Sequence, residues 1–572
     1  MLKIIKRLPP LKTLCAIAFL FLQIICSLTL PYITADIINK GVMAGNTSFI
    51  WSKGEVMIAL SVLSLLGAIL NTLLFSQVSY NLGSELRTEV YGKVLRFSKN
   101  EYDKFGASSL ITRNTNDITQ VQTLVEMGCK FLLLAPAYLL GGILMTWRLS
   151  PKLALVYIAA IPVLTVSCII IYKSAGPLYV KIQKLIDQLN LYFKEGLAGV
   201  KVIRAFGKED KEDEKYREVN HDFMKVSVTA GTIMSFFLPV ISMLISLAAL
   251  LVLWIGAKDI SAGSLQIGSV IGAINYGMQI LMGFAMLTQV ILFIPRGQTS
   301  ANRIFEVLDM PLSVDDPADP ERFEKQKTTL TFENVDFRYS GASKKTLSGV
   351  SFTVHGGQTL AIIGSTGDGK TSLVNLISRL YDVEEGNVRL NGADVRDVSQ
   401  KALRDKVSFV PQISTLLFGT IRSNMLTGKP DATDEEIWAA LDMAQATEFV
   451  QTLDKGLDSA VEKAGGNFSG GQKQRLCIAR ALLKNADVYV FDDSFSALDF
   501  KTDAAVRGAM RFKLSKAVTV IVAQRVSTIM QADMIAVLDG GVLAGLGTHK
   551  ELLANNSVYQ QIVNSQFYKE AC

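Results

Sequence analysis

Six apolar stretches, near residues 13–34, 56–78, 131–149, 153–173, 232–256 and 268–294, approach the roughly 20 residues that a helix needs to cross a bilayer. Backbone groups in hydrocarbon must satisfy one another, so runs of this length and character become helices. The bias is confined to one half of the chain. Hydrophobic residues make up 49% of the whole, yet residues 328–572 have an ordinary globular composition. The expectation is an α-helical membrane domain over 1–308, a linker over 309–327 carrying Pro311, Pro317 and Pro320 among charges, and a soluble domain over 328–572.

The connections alternate in length. Those after the first, third and fifth stretches are short, whereas those after the second and fourth run to roughly fifty residues, far beyond an ordinary loop. Both long connections are basic, the first with Arg87, Lys93, Arg96 and Lys99, the second with Lys181, Lys184, Lys194 and Lys201. Lys3, Lys6, Arg7 and Lys12 precede the first stretch. The positive-inside rule places the N-terminus, both long connections and the soluble domain in the cytoplasm of a multi-pass protein of the cytoplasmic membrane. Ser79–Leu95 and Val180–Ala198 keep a helical apolar spacing, so the spans are expected to continue as helices beyond the bilayer. Turns are expected near Phe97–Phe105 and Tyr192–Gly199.

No stretch carries a charge near its centre, which disfavours an ion-coupled pathway. Gln23, Asn275, Gln279 and Gln289 are the polar exceptions, and Met278, Met282, Met286, Phe236 and Phe237 are candidates for an apolar cavity wall. The net charge of +6 is accounted for by residues flanking the spans, with no clustered stripe for nucleic acid. The six cysteines are scattered without CxxC spacing, and three histidines are too few to suggest a histidine metal site.

The soluble half carries the chemistry. Strand-like runs include Thr329–Phe332, Thr359–Ile363, Val407–Val410, Val488–Phe491 and Val518–Ala523, apolar without alternation, as in a buried and largely parallel sheet covered by helices. Between Leu360–Ile363 and a helix over Thr371–Arg379 lies Gly364-Ser365-Thr366-Gly367-Asp368-Gly369-Lys370-Thr371, followed by Ser372. Glycines at this junction let backbone N–H groups and a helix N-terminus face phosphates. Lys370 supplies a point charge and Thr371 a hydroxyl for Mg²⁺, so ATP with Mg²⁺ is the expected ligand. Asp492, at the tip of Val488–Phe491, is a second candidate for the metal, and Gln412 a third. Tyr339 is placed to stack on adenine. Ser469-Gly470-Gly471-Gln472 opens another helix and forms a second anion site, which suits a nucleotide sandwiched between two domains.

In this order the phosphate loop, Gln412, Ser469–Gln472, Asp492 and Ser496-Ala-Leu-Asp499 resemble the ATP-binding cassette (ABC) family, and the six spans fused ahead of them resemble a half-transporter of the ABC exporter type. The resemblance covers essentially the whole chain. It implies an α/β P-loop nucleotide-binding domain, a dimer of half-transporters, and ATP shared between one chain's phosphate loop and the other's Ser469–Gln472 and Asp499. Two positions depart from the family pattern. Asp493 stands where the family has a glutamate that polarises water, and Gln524 where it has a switch histidine. The carboxylate is one methylene shorter, and glutamine cannot carry a positive charge. With the signature intact, this resembles the degenerate-site half of heterodimeric bacterial exporters, many of them multidrug exporters. That implies an unlike second half-transporter as partner and small amphipathic or apolar cargo. A homodimeric exporter of lipid or peptide and a non-transporting ATP-regulated membrane protein are the competing expectations.

Overall fold

A computed structural model describes residues 2–323 and 327–570. The expected linker 309–327 therefore lies partly outside the described residues. The chain forms two compact units, Met1–Gly92 with Ile111–Leu308, and Lys93–Leu110 with Asp309–Cys572.

Among the described residues the chain has six helices long and apolar enough to cross a membrane: Pro10–Val42, Thr47–Val94, Ala107–Leu149, Pro151–Ala205, Glu209–Ser261 and Ile267–Leu287. The second has 48 residues and the fourth 55. At 1.5 Å per residue these are roughly 70 and 80 Å long, more than twice a hydrocarbon core of about 30 Å. The fourth helix does not turn at Tyr192–Gly199. It runs on to Ala205, and the chain reverses at Phe206–Lys208, where Gly207 takes φ +56°. Gly196 and Gly199 are simply absorbed, because glycine weakens a helix without ending it. The fifth span is interrupted at Phe236, between Glu209–Ser235 and Phe237–Ser261. Pro239 explains the break, since it has no N–H to give the carbonyl four residues earlier.

The polar side chains of the spans serve helix packing. Asn71, fully buried, donates to Gln23 Oε1 at 2.7 Å, and Gln279 Nε2 donates to the Ser27 carbonyl at 3.0 Å. Of the cavity candidates, Phe236, Met278 and Met282 are exposed in the single chain, while Phe237 and Met286 pack on buried clusters. The Gln289 side chain lies outside the described residues.

In the second unit Lys99–Phe105 forms a short helix with a capping box from Ser98 and Glu101. Glu101 is 2% exposed and accepts the Ser313 N–H at 3.0 Å, while Ser98 and Ser313 share a hydroxyl bond at 2.7 Å. Among the described residues twelve strands follow in chain order: β1 (Thr329–Phe337), β2 (Leu347–His355), β3 (Thr359–Gly364), β4 (Glu385–Leu390), β5 (Ala393–Asp394), β6 (Val407–Val410), β7 (Gly419–Thr420), β8 (Ala460–Val461), β9 (Val488–Asp492), β10 (Val518–Val522), β11 (Met534–Asp539) and β12 (Val542–Gly547). Six form a mainly parallel sheet in the order β12-β11-β3-β10-β9-β6, with only β12 antiparallel. Every residue of β9 and β10 is buried, as expected where helices cover both faces. The expected strand at Thr329–Phe332 belongs elsewhere. As part of β1 it pairs antiparallel with β2 and β4 in a second sheet, β2-β1-β4-β5. Its burial alternates over Thr329–Phe332, the mark of a strand with one face covered.

One glycine fixes the β1–β4 approach. Gly386 has φ +82°, and a Cβ there would lie 2.2 Å from the Asn334 carbonyl oxygen. Gly386→Ala combines backbone strain with a clash against backbone and should destabilise the nucleotide domain by roughly 2–4 kcal/mol. A fall of several degrees in its thermal unfolding midpoint is the expected reading; an unchanged midpoint would contradict this packing.

Candidate nucleotide-binding site

The parallel sheet brings the functional segments to one edge. In register, Val522 of β10 lies opposite both Asp492 of β9 and Ile362 of β3. The chain leaving β3 becomes the phosphate loop, that leaving β9 carries Asp493, and that leaving β10 carries Gln524. Ligands of open parallel sheets bind outside these carboxyl ends.

The loop is shaped by its glycines. A Cβ on Gly364 would sit 2.4 Å from the Leu538 carbonyl oxygen, and one on Gly369 (φ +89°) 2.8 Å from Leu347. Gly367 has φ +98° and open space where its side chain would be. Asp368 accepts the Gly540 N–H at 3.2 Å, which fastens the loop to the β11–β12 turn. The helix Lys370–Ile377 starts from the Gly369 cap. It is shorter than the expected Thr371–Arg379, because Arg379 has φ +48° and its side chain pairs with Asp382. Lys370 Nζ donates to the carbonyls of Gly364 and Ser365 at 2.9 and 2.6 Å. Burial lowers its pKa, partly opposed by Asp368, Asp493 and Asp492. Ser365 and Thr366 are exposed on the loop, whereas Ser372 is 5% exposed and bonds the Tyr339 hydroxyl at 2.6 Å. Tyr339 is thus tied to the phosphate-loop helix, its ring edge-on to Phe337 and Tyr381.

Thr371 Oγ1 donates to Asp492 Oδ1 at 3.2 Å. Asp492 is 2% exposed, and burial pushes its pKa up to about 6, with the neighbouring Asp493 adding to the shift. A hydroxyl beside a buried carboxylate is an oxygen donor set suited to a hard divalent cation, which would favour the charged form. The cradle and this pair fit a nucleotide phosphate with Mg²⁺. No cluster of three or more His, Cys, Asp or Glu suited to a metal occurs among the described residues, so phosphate and water oxygens would complete the coordination.

Asp493 is half-buried and takes φ +49°. Its backbone N–H reaches the Val522 carbonyl at 3.0 Å. Burial raises its pKa, opposed first by the Gln412 side chain, which hydrogen-bonds the carboxylate. Gln524 Nε2 donates to Asp493 Oδ2 at 3.0 Å. Two neutral amides therefore hold the carboxylate, orienting it without supplying positive charge.

The signature segment forms a separate feature. Ser469 caps the helix Gly470–Leu483 in a capping box with Gln472: Gln472 N donates to Ser469 Oγ at 3.3 Å and Ser469 N to Gln472 Oε1 at 2.9 Å. Ser469 and Gly470 are exposed, and Gly471 is half-buried. The Ser469 hydroxyl proton is still available to an anion. Asp499 caps the helix Phe500–Lys513 through the N–H groups of Lys501 and Thr502. Sequence reasoning missed the strut between these segments. Gln474 is 5% exposed, accepts the Ala497 N–H at 3.0 Å and reaches Ser496 Oγ at 3.5 Å, and Ser496 Oγ donates to the Asp493 carbonyl at 2.9 Å. A signal existed: Gln474 shares helical spacing with the buried Cys477, Ile478 and Ala481, so it is an amide on an apolar face.

A family model described as the ABC transporter transmembrane region matches residues 13–284, and one described as ABC transporter matches 347–496. An "uncharacterized ABC transporter ATP-binding protein" of Mycobacterium tuberculosis is 39% identical over 95% of this chain and 94% of its own length. The "probable multidrug resistance ABC transporter ATP-binding/permease protein YheI" of Bacillus subtilis is 33% identical over 83% of this chain and 81% of its own. A solved bacterial Atm1-family ABC exporter with ATP bound has a TM-score of 0.79 and 26% identity, covering 97% of this chain and 99% of that one. The chain belongs to the ABC transporter family and, with six apolar helices fused to an α/β nucleotide-binding domain, is an exporter-type ATPase and translocase.

Proposed function

We propose that this chain is one half of an ATP-driven exporter whose other half is an unlike chain. It holds ATP at a slowly hydrolysing site of its own and lends Ser469–Gln472 and Asp499 to the partner's site. One asymmetry carries this reading. The signature segment is intact and exposed, whereas the carboxylate at the catalytic position is Asp493, held by the amides of Gln412 and Gln524.

Lys370 exchanges its loop carbonyls for phosphate oxygens, and the loop N–H groups bind the same oxygens. Thr371 and Asp492 would hold Mg²⁺, joined by Gln412, which hydrogen-bonds the adjacent Asp493, and the ion would neutralise charge on the phosphates. Tyr339 packs on the adenine. Asp493 is shorter than glutamate by one methylene, about 1.5 Å, and a misplacement of that size can cost on the order of a hundredfold in rate. Gln524 orients Asp493 but adds no charge near the γ-phosphate. The site is thus equipped to hold nucleotide more than to cleave it.

The cargo is amphipathic or apolar, because no span carries a charge near its centre. The relative YheI, described as a probable multidrug resistance transporter, agrees with that class. The basic connections and the bacterial relatives support a bacterial cytoplasmic membrane, with the nucleotide domain in the cytoplasm. A slow homodimer is the second reading, favoured by the carboxylate that Asp493 retains.

The purified chain alone should bind ATP with little turnover, and turnover should rise at least tenfold with its cognate half. Strong ATPase activity from the lone chain would sink the unlike-partner reading. In the assembled pair, Asp493→Asn should change ATPase activity by no more than about twofold. Loss of the partner's matching glutamate, or Ser469→Ala here, should cost about tenfold or more. Equal losses from the two carboxylate changes would contradict the asymmetric assignment.

A further inference from the structure

The helix Ser557–Glu570 carries a side chain that the site described above does not use. Tyr559 and Val563, at 0% and 5% exposure, join the buried cluster that includes Val526 and Ile529. Gln566 follows Val563 by three residues, on the same helix face. Its carboxamide makes two bonds to one short backbone segment. Nε2 donates to the Gln524 carbonyl at 2.7 Å, and Oε1 accepts the Val526 N–H at 2.8 Å. A planar amide filling an acceptor and a donor two residues apart behaves like the edge of a neighbouring strand.

The rest of that segment is held by other means. Ala523 N donates to the Ile362 carbonyl at 3.2 Å, which continues the β10–β3 ladder. At the far end Arg507 Nη1 donates to the Thr528 carbonyl at 2.9 Å, with Arg507 itself paired at 2.8 Å to Asp503, which is 4% exposed. Between these anchors lies Gln524, whose side chain reaches Asp493 at 3.0 Å. The Gln524 carbonyl and the Val526 N–H flank that side chain, and Gln566 binds both.

We propose that Gln566 is a positioning residue: it fixes the backbone of residues 524–526 so that the Gln524 carboxamide meets Asp493, and it thereby sets how long this chain retains nucleotide. The inference rests on the reading of Gln524 as the switch-position residue of this chain's own site. A glutamine that only docked its helix would act on stability and not through Gln524.

The test uses the full-length chain in lipid nanodiscs, with its cognate half where one assembles. Radiolabelled azido-ATP is bound, chased with excess unlabelled ATP, and photocrosslinked at successive times, so that the label still retained by this chain is counted after peptide mapping. Gln524→Ala and Gln566→Ala should each release nucleotide about tenfold faster, the scale of one or two lost hydrogen bonds. The double variant should be no faster than Gln524→Ala, to within about twofold, because both changes remove the same contact. Gln566→Glu keeps the acceptor for Val526 but sets a carboxylate against the Gln524 carbonyl, so it should match Gln566→Ala. The thermal midpoint of Gln566→Ala should stay within about 2 °C of the parent. Wild-type release from Gln566→Ala beside fast release from Gln524→Ala would overturn the inference and leave the switch assignment standing. So would losses that multiply to about a hundredfold in the double variant. Wild-type release from Gln524→Ala would remove the switch assignment and this inference together.

Discussion

The register of three parallel strands governs the nucleotide site. Val522 lies between Asp492 and Ile362, so β3, β10 and β9 end at one level. Lys370, the Asp492–Asp493 pair and Gln524 lie far apart in sequence, and this alignment brings them together. A slip of two residues in one strand would move its terminal side chain by about 6.6 Å, beyond any hydrogen bond in the site. A slip of one would also turn its side chains to the opposite face. Every residue of β9 and β10 is buried, so both strands are packed on either face.

Much of this was legible in the residues. The phosphate loop, Asp492 and the signature are continuous words whose chemistry needs their spacing, and each lies at the strand or helix end that its mechanism requires. What escaped was the connection between them. The bonds of Gln474 to residues 496 and 497, and of Asp368 to Gly540, join segments distant in sequence, and no local pattern announces such a pairing. β2, β4 and β12 also went unread, because their alternating or glycine-containing composition differs from the apolar runs of the central strands.

In the membrane half, hydropathy located the spans but not their ends. Composition stops being informative where a helix leaves the bilayer, because a solvated helix needs no apolar run. The reversal therefore lies after Ala205, beyond the turn expected at Tyr192–Gly199, and Gly207 is the residue there that adopts a left-handed backbone. Pro239 is plain in the sequence, yet its effect lies upstream: the N–H it lacks is the one the Ser235 carbonyl would accept, and the helix breaks at Phe236.

The backbone at Asp493 has a longer reach. At φ +49° the position lies in a region where asparagine, aspartate and glycine are tolerated and longer side chains are disfavoured. Aspartate adopts this dihedral with less strain than the longer glutamate would, so the main chain at the end of β9 favours the residue that the sequence carries. A glutamate introduced at this position would have to meet the same φ with a bulkier side chain, and one dihedral angle thus sets a conformational cost on any lengthening of this carboxylate.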